Sequence, residues 1–392
     1  MIGAAVVEDP ELREILAAVR EFVRDVVVPA EDDIEATDEI PARIRDAAAA
    51  MGLYGFAIPA AYGGLGLSLP EEVRLVFELG YAAPAFRSLF GTNNGIAGHV
   101  LLEGGTEKQR AEYLPRLASG EWTASFALTE PEAGSDPSTL VTSAFPDGDD
   151  WVVTGTKRFI TNAPYADVFM VFARTDPEAP ASRGISALLV ERGRPGLSVG
   201  PKDRKMGQAG AVTADVHLDG VRVPAEQLIG EVPGTGLATA MRCLAHGRIH
   251  IAALCVGLMQ RLVDSSTRWA VTRRQSGHEI GDFQLVQGML ADSQTDLMAG
   301  RALVIEAARA YQAGEDRRIG PSCAKYFASE AVGRVADRAV QIHGGAGYMR
   351  GVPAERLYRD ARLFRLYEGT SQIQQLIIAR ELLRAARETA AR

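Results

Sequence analysis

Four short segments combine residue types that could do chemistry. Leu366-Tyr367-Glu368-Gly369-Thr370-Ser371-Gln372 sets one carboxylate between apolar neighbours and a glycine. Gly369 interrupts a helix. Ser371 and Gln374 fit the S/T-x-x-E/Q pattern that opens the next one, which predicts Glu368 on the connection between two helices. Burial there would raise its pKa and a nearby helix N-terminus would lower it. Taken alone, the same residue also reads as an ordinary surface carboxylate. Phe126 to Asp136, FALTEPEAGSD, predicts a strand ending at Leu128 and then a loop whose Thr129 and Ser135 hydroxyls suit an oxygen-rich ligand. A plain turn with local Ser and Thr bonds is the alternative.

Lys157 to Asn162, KRFITN, puts Phe159 at a strand end, where a ring can pack on another flat ring or simply fill a core. Gln341 to Tyr348, QIHGGAGY, is glycine-rich, but its glycines follow a predicted helix and lack the GxGxxG spacing of a dinucleotide fold. Gly344 and Gly345 therefore read either as a close backbone approach or as a helix C-cap. His246 and His250 lie four apart on one predicted helix, with no acidic or sulfur partner visible beside them, so no metal site is expected.

The elements that must position these segments fall into three blocks. Residues 1–121 read as helical: Leu12, Ile15, Leu16, Val19, Phe22 and Val23 form one apolar stripe, continued by Ile40 to Met51 and Glu71 to Leu79. Residues 122–231 carry short β-rich runs: Ser125 to Leu128, Trp151 to Thr154, Val168 to Phe172, Ala187 to Val190, and Ala214 to Leu218 before an Asp219-Gly220 turn. They predict a compact antiparallel β domain. From 232 to 392 long helices return, with Leu237 to Ala270 apolar around most of its circumference, as inside a bundle. The expected class is α+β: N-terminal helices, a middle β domain and a C-terminal four-helix bundle. This order argues against a doubly wound sheet.

Composition narrows the function further. At 392 residues the chain is long enough for two or three domains. A net charge of -8 argues against a nucleic-acid binder, although clusters such as Arg273-Arg274 could serve one anionic ligand. Met1 to Pro10 lacks the pattern of a leader peptide, and no uninterrupted apolar run approaches the ~18 residues of a membrane span. Cys243 and Cys255 would stand roughly 18 Å apart on one helix, too far to bridge. With Cys323 they are expected to be buried thiols of a cytoplasmic protein.

Together the four segments resemble the acyl-CoA dehydrogenase family in order and spacing. KMGQAG at Lys205, VRVPAEQLIG at Val221, RRQSG at Arg273 and FQLVQ at Phe283 extend the resemblance over essentially the whole chain. It implies FAD as cofactor, an acyl-CoA thioester as substrate, electron-transfer flavoprotein as electron acceptor and a role in fatty acid metabolism. By resemblance Glu368 is the base that removes the α-proton, while the β-hydrogen leaves as hydride to the flavin, giving the trans-2-enoyl-CoA. Phe126, Leu128, Thr129, Phe159, Ile160, Thr161, Thr370 and Gln372 would contact FAD. Arg273, Gln284, Gln341, Gly344 and Gly345 would reach the FAD of a neighbouring subunit, which implies a homotetramer. Ser135, Arg248, Tyr367 and Gly369 match acyl-CoA contacts.

Some branches of the family carry the base on an earlier helix, at the position that matches Gly247, which has no side chain. Arg87 matches a position where the glutaryl-CoA branch places an arginine for a distal carboxylate. An arginine that braces the N-terminal helices would fit there equally well. Phe159 stands where many members have Trp, and Ser276 where Phe is frequent. Two other readings share the expected fold: an acyl-CoA oxidase or flavin monooxygenase, and a helical scaffold without catalysis.

Overall fold

A computed structural model describes residues 10–391 of the protein, so the expectation about a leader before Pro10 falls outside it. The predicted stripe forms α1 (Pro10–Phe22), which buries Leu12, Leu16 and Val19. Proline suits the first turn, where its missing N–H costs nothing. Helix α2 (Leu69–Leu79) starts where the Ser68 N–H donates to the Glu71 carboxylate at 2.7 Å. Helix α3 (Ala85–Gly91) runs through a wider turn, Thr92–Ile96, into α4 (Ala97–Gly104), and α5 (Glu107–Ser119) is capped by Thr106.

The middle of the chain is one sheet of seven strands: β1 (Ala124–Ala127), β2 (Ser143–Asp147), β3 (Asp150–Thr161), β4 (Val168–Arg174), β5 (Ile185–Glu191), β6 (Leu197–Val199) and β7 (Thr213–Pro224). The order is β1-β4-β2-β3-β7-β6, with β5 on the other side of β4. Pairing is mostly antiparallel, as expected, but β1 runs parallel to β4. Asp219-Gly220 does not turn the chain. The strand continues to Pro224, and the pair forms a bulge with Gly220 at φ 60° where the register against β3 slips. The bends re-aim the long strands and let the sheet curl around Phe169, Val171, Val190, Val216 and Val223.

Five further helices follow: α6 (Gly236–Thr272), α7 (Gln284–Gln312), α8 (Ile319–His343), α9 (Pro353–Ala361) and α10 (Ser371–Ala390). Helix α6 is the axis of the bundle and is buried almost continuously from Ala245 to Val263. Its length and composition would suffice to cross a membrane, yet 89% of its most apolar window is buried inside the protein. That is the position of a core helix. The N-terminal helices share its core, with Leu75, Phe86 and Phe90 in one cluster with Ile249, Ala253 and Leu258. The approach is close because both sides use glycine. A Cβ on Gly257 would lie 2.7 Å from the Gly80 Cα, inside any permitted contact. Cys243 and Cys255 are buried thiols on α6 as expected, whereas Cys323 is only half-buried.

Candidate functional site

Glu368 lies on the connection between α9 and α10 with a left-handed backbone, φ 52°, followed by Gly369 at φ 89°. Left-handed geometry is unfavourable for a residue with a Cβ, so surrounding bonds must hold it. They are present: the Gly369 carbonyl accepts from Lys325 Nζ at 2.6 Å and from Gln374 Nε2 at 3.0 Å. The helix start differs by one residue from the sequence expectation. Thr370, not Ser371, caps α10 by accepting from the Ile373 N–H, because the Ser371 hydroxyl is taken by Glu330 at 2.6 Å. The Glu368 N–H makes no hydrogen bond among the described residues and is free to donate.

The Glu368 side chain crosses to α6. A Cβ built on Gly247 would sit 2.5 Å from its Oε2, so the carboxylate fills the space that a side chain at 247 would take. Oε2 is buried and has no hydrogen-bond partner. Burial raises the pKa of Glu368 above the usual carboxylate value, and the charges of Arg87, Lys325, Arg248 and His246 pull back against that rise. Tyr367 precedes it against the main core, and Arg248 is buried on α6 with an unpartnered Nε.

Beside this carboxylate stands a buried polar chain that sequence spacing did not reveal. His250 Nε2 lies 2.6 Å and His246 Nε2 3.3 Å from Glu72 Oε2, while His250 Nδ1 lies 3.1 Å from Arg87 Nη2. The expectation that His246 and His250 lack an acidic partner is therefore corrected: Glu72 supplies it from α2, 178 residues from His250. Burial alone would raise the Glu72 pKa, but the two histidines outweigh it and hold it down at about 2. Burial, His246 and Arg87 push His250 down to about 4, so its ring is neutral near pH 7. His99 stacks on His246 with ring centroids 4.1 Å apart.

The segments expected to meet a flavin come together at one side of the sheet. Ser125 donates to the Thr161 carbonyl at 2.7 Å and the Arg158 N–H donates to the Thr129 carbonyl at 2.8 Å, setting Phe126, Leu128 and Thr129 beside Phe159, Ile160 and Thr161. Leu128 and Ile160 are buried. Phe159 has φ 57° at a bulge in β3 and leaves 58% of its surface exposed, a free aromatic face next to exposed loop backbone. Such a surface fits a flat, polar-edged ring system. The loop is held from behind by Glu130, which accepts from Lys157 Nζ at 2.6 Å and from the N–H groups of Val141 and Thr142. Lys157 is fully buried, and burial lowers its pKa to about 8 against the pull of Glu130.

Ser135 is exposed on the same loop, and Gln372 follows the cap residue Thr370 in the first turn of α10. Arg273, Gln284, Gln341, Gly344 and Gly345 are exposed at a different place, the end of the bundle where His343 meets Trp269. Gly344, at φ 60°, terminates α8, so the C-cap reading of that glycine is correct. No hydrogen bond joins this group to the Phe126–Phe159 surface among the described residues.

Three family models match the chain: acyl-CoA dehydrogenase N-terminal domain over residues 9–121, middle domain over 125–221 and C-terminal domain over 234–383. The chain is 38% identical to a 3-(aryl)acrylate reductase of Clostridium sporogenes, covering 96% of this chain and 99% of that one. It is 38% identical to the CarC subunit of the caffeyl-CoA reductase–Etf complex of Acetobacterium woodii, covering 90% and 93%. Among solved structures, a glutaryl-coenzyme A dehydrogenase in complex with glutaryl-CoA superposes with a TM-score of 0.90 at 34% identity, covering 97% of each chain.

Proposed function

The chain belongs to the acyl-CoA dehydrogenase family, a flavin-dependent oxidoreductase that acts on acyl-CoA, and from that premise we propose that Glu368 is its catalytic base. The reaction proposed is α,β-dehydrogenation of the thioester to the trans-2-enoyl-CoA. The observation that supports it is the buried, unpartnered Glu368 Oε2, the one carboxylate oxygen set against Gly247. A carboxylate with one oxygen buried and its pKa raised by burial can take an α-proton that an ordinary carboxylate would leave in place.

When bound, FAD would supply the acceptor for the β-hydride. Phe126, Leu128, Thr129, Phe159, Ile160, Thr161, Thr370 and Gln372 would hold it. The α-C–H pair becomes the new C=C bond as Glu368 receives the proton. The Glu368 N–H, which has no partner among the described residues, would donate to the thioester oxygen as negative charge grows there, an oxyanion role. The clamp of Lys325 and Gln374 on Gly369 holds the connection that carries both that N–H and the carboxylate.

Ser135, Arg248, Tyr367 and Gly369 would contact the acyl-CoA. Arg87, buried and with Nε unpartnered, would take a polar or anionic end of the acyl chain, a reading favoured by the glutaryl-CoA complex of the structural neighbour. Arg273, Gln284, Gln341, Gly344 and Gly345 would serve the FAD of a second subunit in a homotetramer. Their exposure at the far end of the bundle supports that reading. An electron-transfer flavoprotein as redox partner is favoured by the Etf complex of the Acetobacterium relative, and a cytoplasmic location is part of the same proposal.

The reductase names of two relatives favour a second direction, enoyl-CoA reduction, in which protonated Glu368 returns the α-proton. Glu368→Gln tests both. FAD and acyl-CoA binding should persist while anaerobic flavin bleaching by acyl-CoA slows by about three orders of magnitude or more. Near-normal bleaching would remove Glu368 from the mechanism. Rapid stoichiometric peroxide formation by the wild type would instead support an acyl-CoA oxidase.

A further inference from the structure

We infer that His250 and Glu72 are positioning residues that fix the Arg87 guanidinium as the determinant of the acyl end, an inference that rests on the reading of Arg87 above. An arginine only donates hydrogen bonds, so the 3.1 Å contact from Arg87 Nη2 makes His250 Nδ1 the acceptor. The His250 proton is then on Nε2, where it donates to Glu72 Oε2 at 2.6 Å. The order carboxylate, imidazole, guanidinium is thus fixed in polarity: a proton on Nδ1 would face Arg87 with a second donor, and a turned-over ring would face both partners with carbon.

The guanidinium lies in a space built for it. A Cβ on Gly91 would fall 2.5 Å from Arg87 Nη1, and one on Gly95 would fall 3.1 Å from Nη2. Gly91 ends α3 and Gly95 lies in the wide turn that follows, so the backbone opens a trough along which the side chain runs. Arg87 is 6% exposed and spends only Nη2 on a protein partner, leaving Nε buried without one. A buried arginine with free donors, a fixed angle and the Glu368 charge nearby is placed to meet an anionic or carbonyl oxygen on a ligand.

The same geometry argues against a metal at Glu72, His246 and His250, whose ligand atoms lie within 4.8 Å of one another. A metal would need a bare His250 Nε2, which moves the proton to Nδ1 against the Arg87 donor.

The test uses the FAD-loaded enzyme and two five-carbon probes, glutaryl-CoA and valeryl-CoA, read by flavin reduction. Arg87→Ala should lower the glutaryl-to-valeryl ratio of kcat/KM about a hundredfold, and His250→Leu and Glu72→Gln about tenfold. The loss should fall on KM for glutaryl-CoA. His250→Gln, whose amide can accept from Arg87 and donate to Glu72, should recover most of the ratio. Gly91→Ala, whose Cβ would press on the guanidinium itself, should lower it as well. An unchanged ratio in Arg87→Ala overturns the reading of Arg87 and the inference with it. A fall in Arg87→Ala with an unchanged ratio in His250→Leu overturns the inference alone. Equal ratios for the Leu and Gln variants, or one zinc or iron per chain in the wild type that His250→Leu loses, would overturn it too.

Discussion

Replacing Gly247 by alanine adds one methyl group and no charge, yet it should disable the proposed base. The new Cβ would stand 2.5 Å from Glu368 Oε2 and 2.8 Å from Ile96 Cγ2, against about 3.4 Å for an ordinary contact. Helix α6 is packed on all sides at this point, so the flexible end of Glu368 gives way, by about 0.9 Å. A misplacement of about 1 Å in a reacting group costs about a hundredfold in rate, or about 2.7 kcal/mol of barrier. The fold should not suffer in proportion. Alanine in a helix interior is favoured over glycine by about 0.5–1 kcal/mol, which offsets the strain at Ile96. Stopped-flow bleaching of the flavin by acyl-CoA under anaerobic conditions reads the step directly, with FAD content and Tm as controls. A variant with normal FAD content and an unchanged reduction rate would refute the placement of the base against α6.

The acid limb of the reduction rate should rise as Glu368 loses its proton. Because burial raises that pKa, its midpoint should lie above the 4.5 of a free glutamate, and a midpoint at or below 4.5 would contradict the dry site. Lys157→Met should destabilise the protein by about 3–5 kcal/mol, since it leaves Glu130 buried without its cation; denaturant unfolding would show this, together with weaker FAD retention. Acid stability carries the signature of His250. Its folded pKa of about 4 lies below the 6.5 of a free histidine, so the unfolded chain binds the extra proton between those values. Stability should be full above pH 6.5 and fall toward pH 4, and His250→Gln should flatten that part of a Tm-versus-pH curve.

The three-block order was legible because helical and strand periodicities differ and change near Trp122 and Pro233. The Glu368 connection was legible for a local reason: Gly369 and the cap-forming Thr and Ser are adjacent in sequence. What spacing could not show are contacts made across domains. Glu72 and His250 are ordinary residues on two separate helices until packing brings them to 2.6 Å. Lys325 looks like a surface lysine on a long helix, yet it is buried and bonded to the Gly369 carbonyl. Glu130 and Lys157 sat inside recognisable segments, and only the paired strands disclose that one carboxylate staples both. Asp219-Gly220 misled because a bulge and a turn use the same residues.

The meeting of Glu368 with Gly247 also says how such a site can change hands. The carboxylate hangs from a strained connection on one wall of the cleft, while the opposite wall is a rigid helix whose bare backbone faces the same oxygen. A glutamate at 247 paired with a glycine at 368 would deliver an acid to the same small volume from the other side and release the left-handed strain in the exchange. The position of the proposed proton acceptor is thus a property of the cleft rather than of either segment that borders it. Two substitutions separate one arrangement from the other, with Ile96 the neighbour that would have to make room.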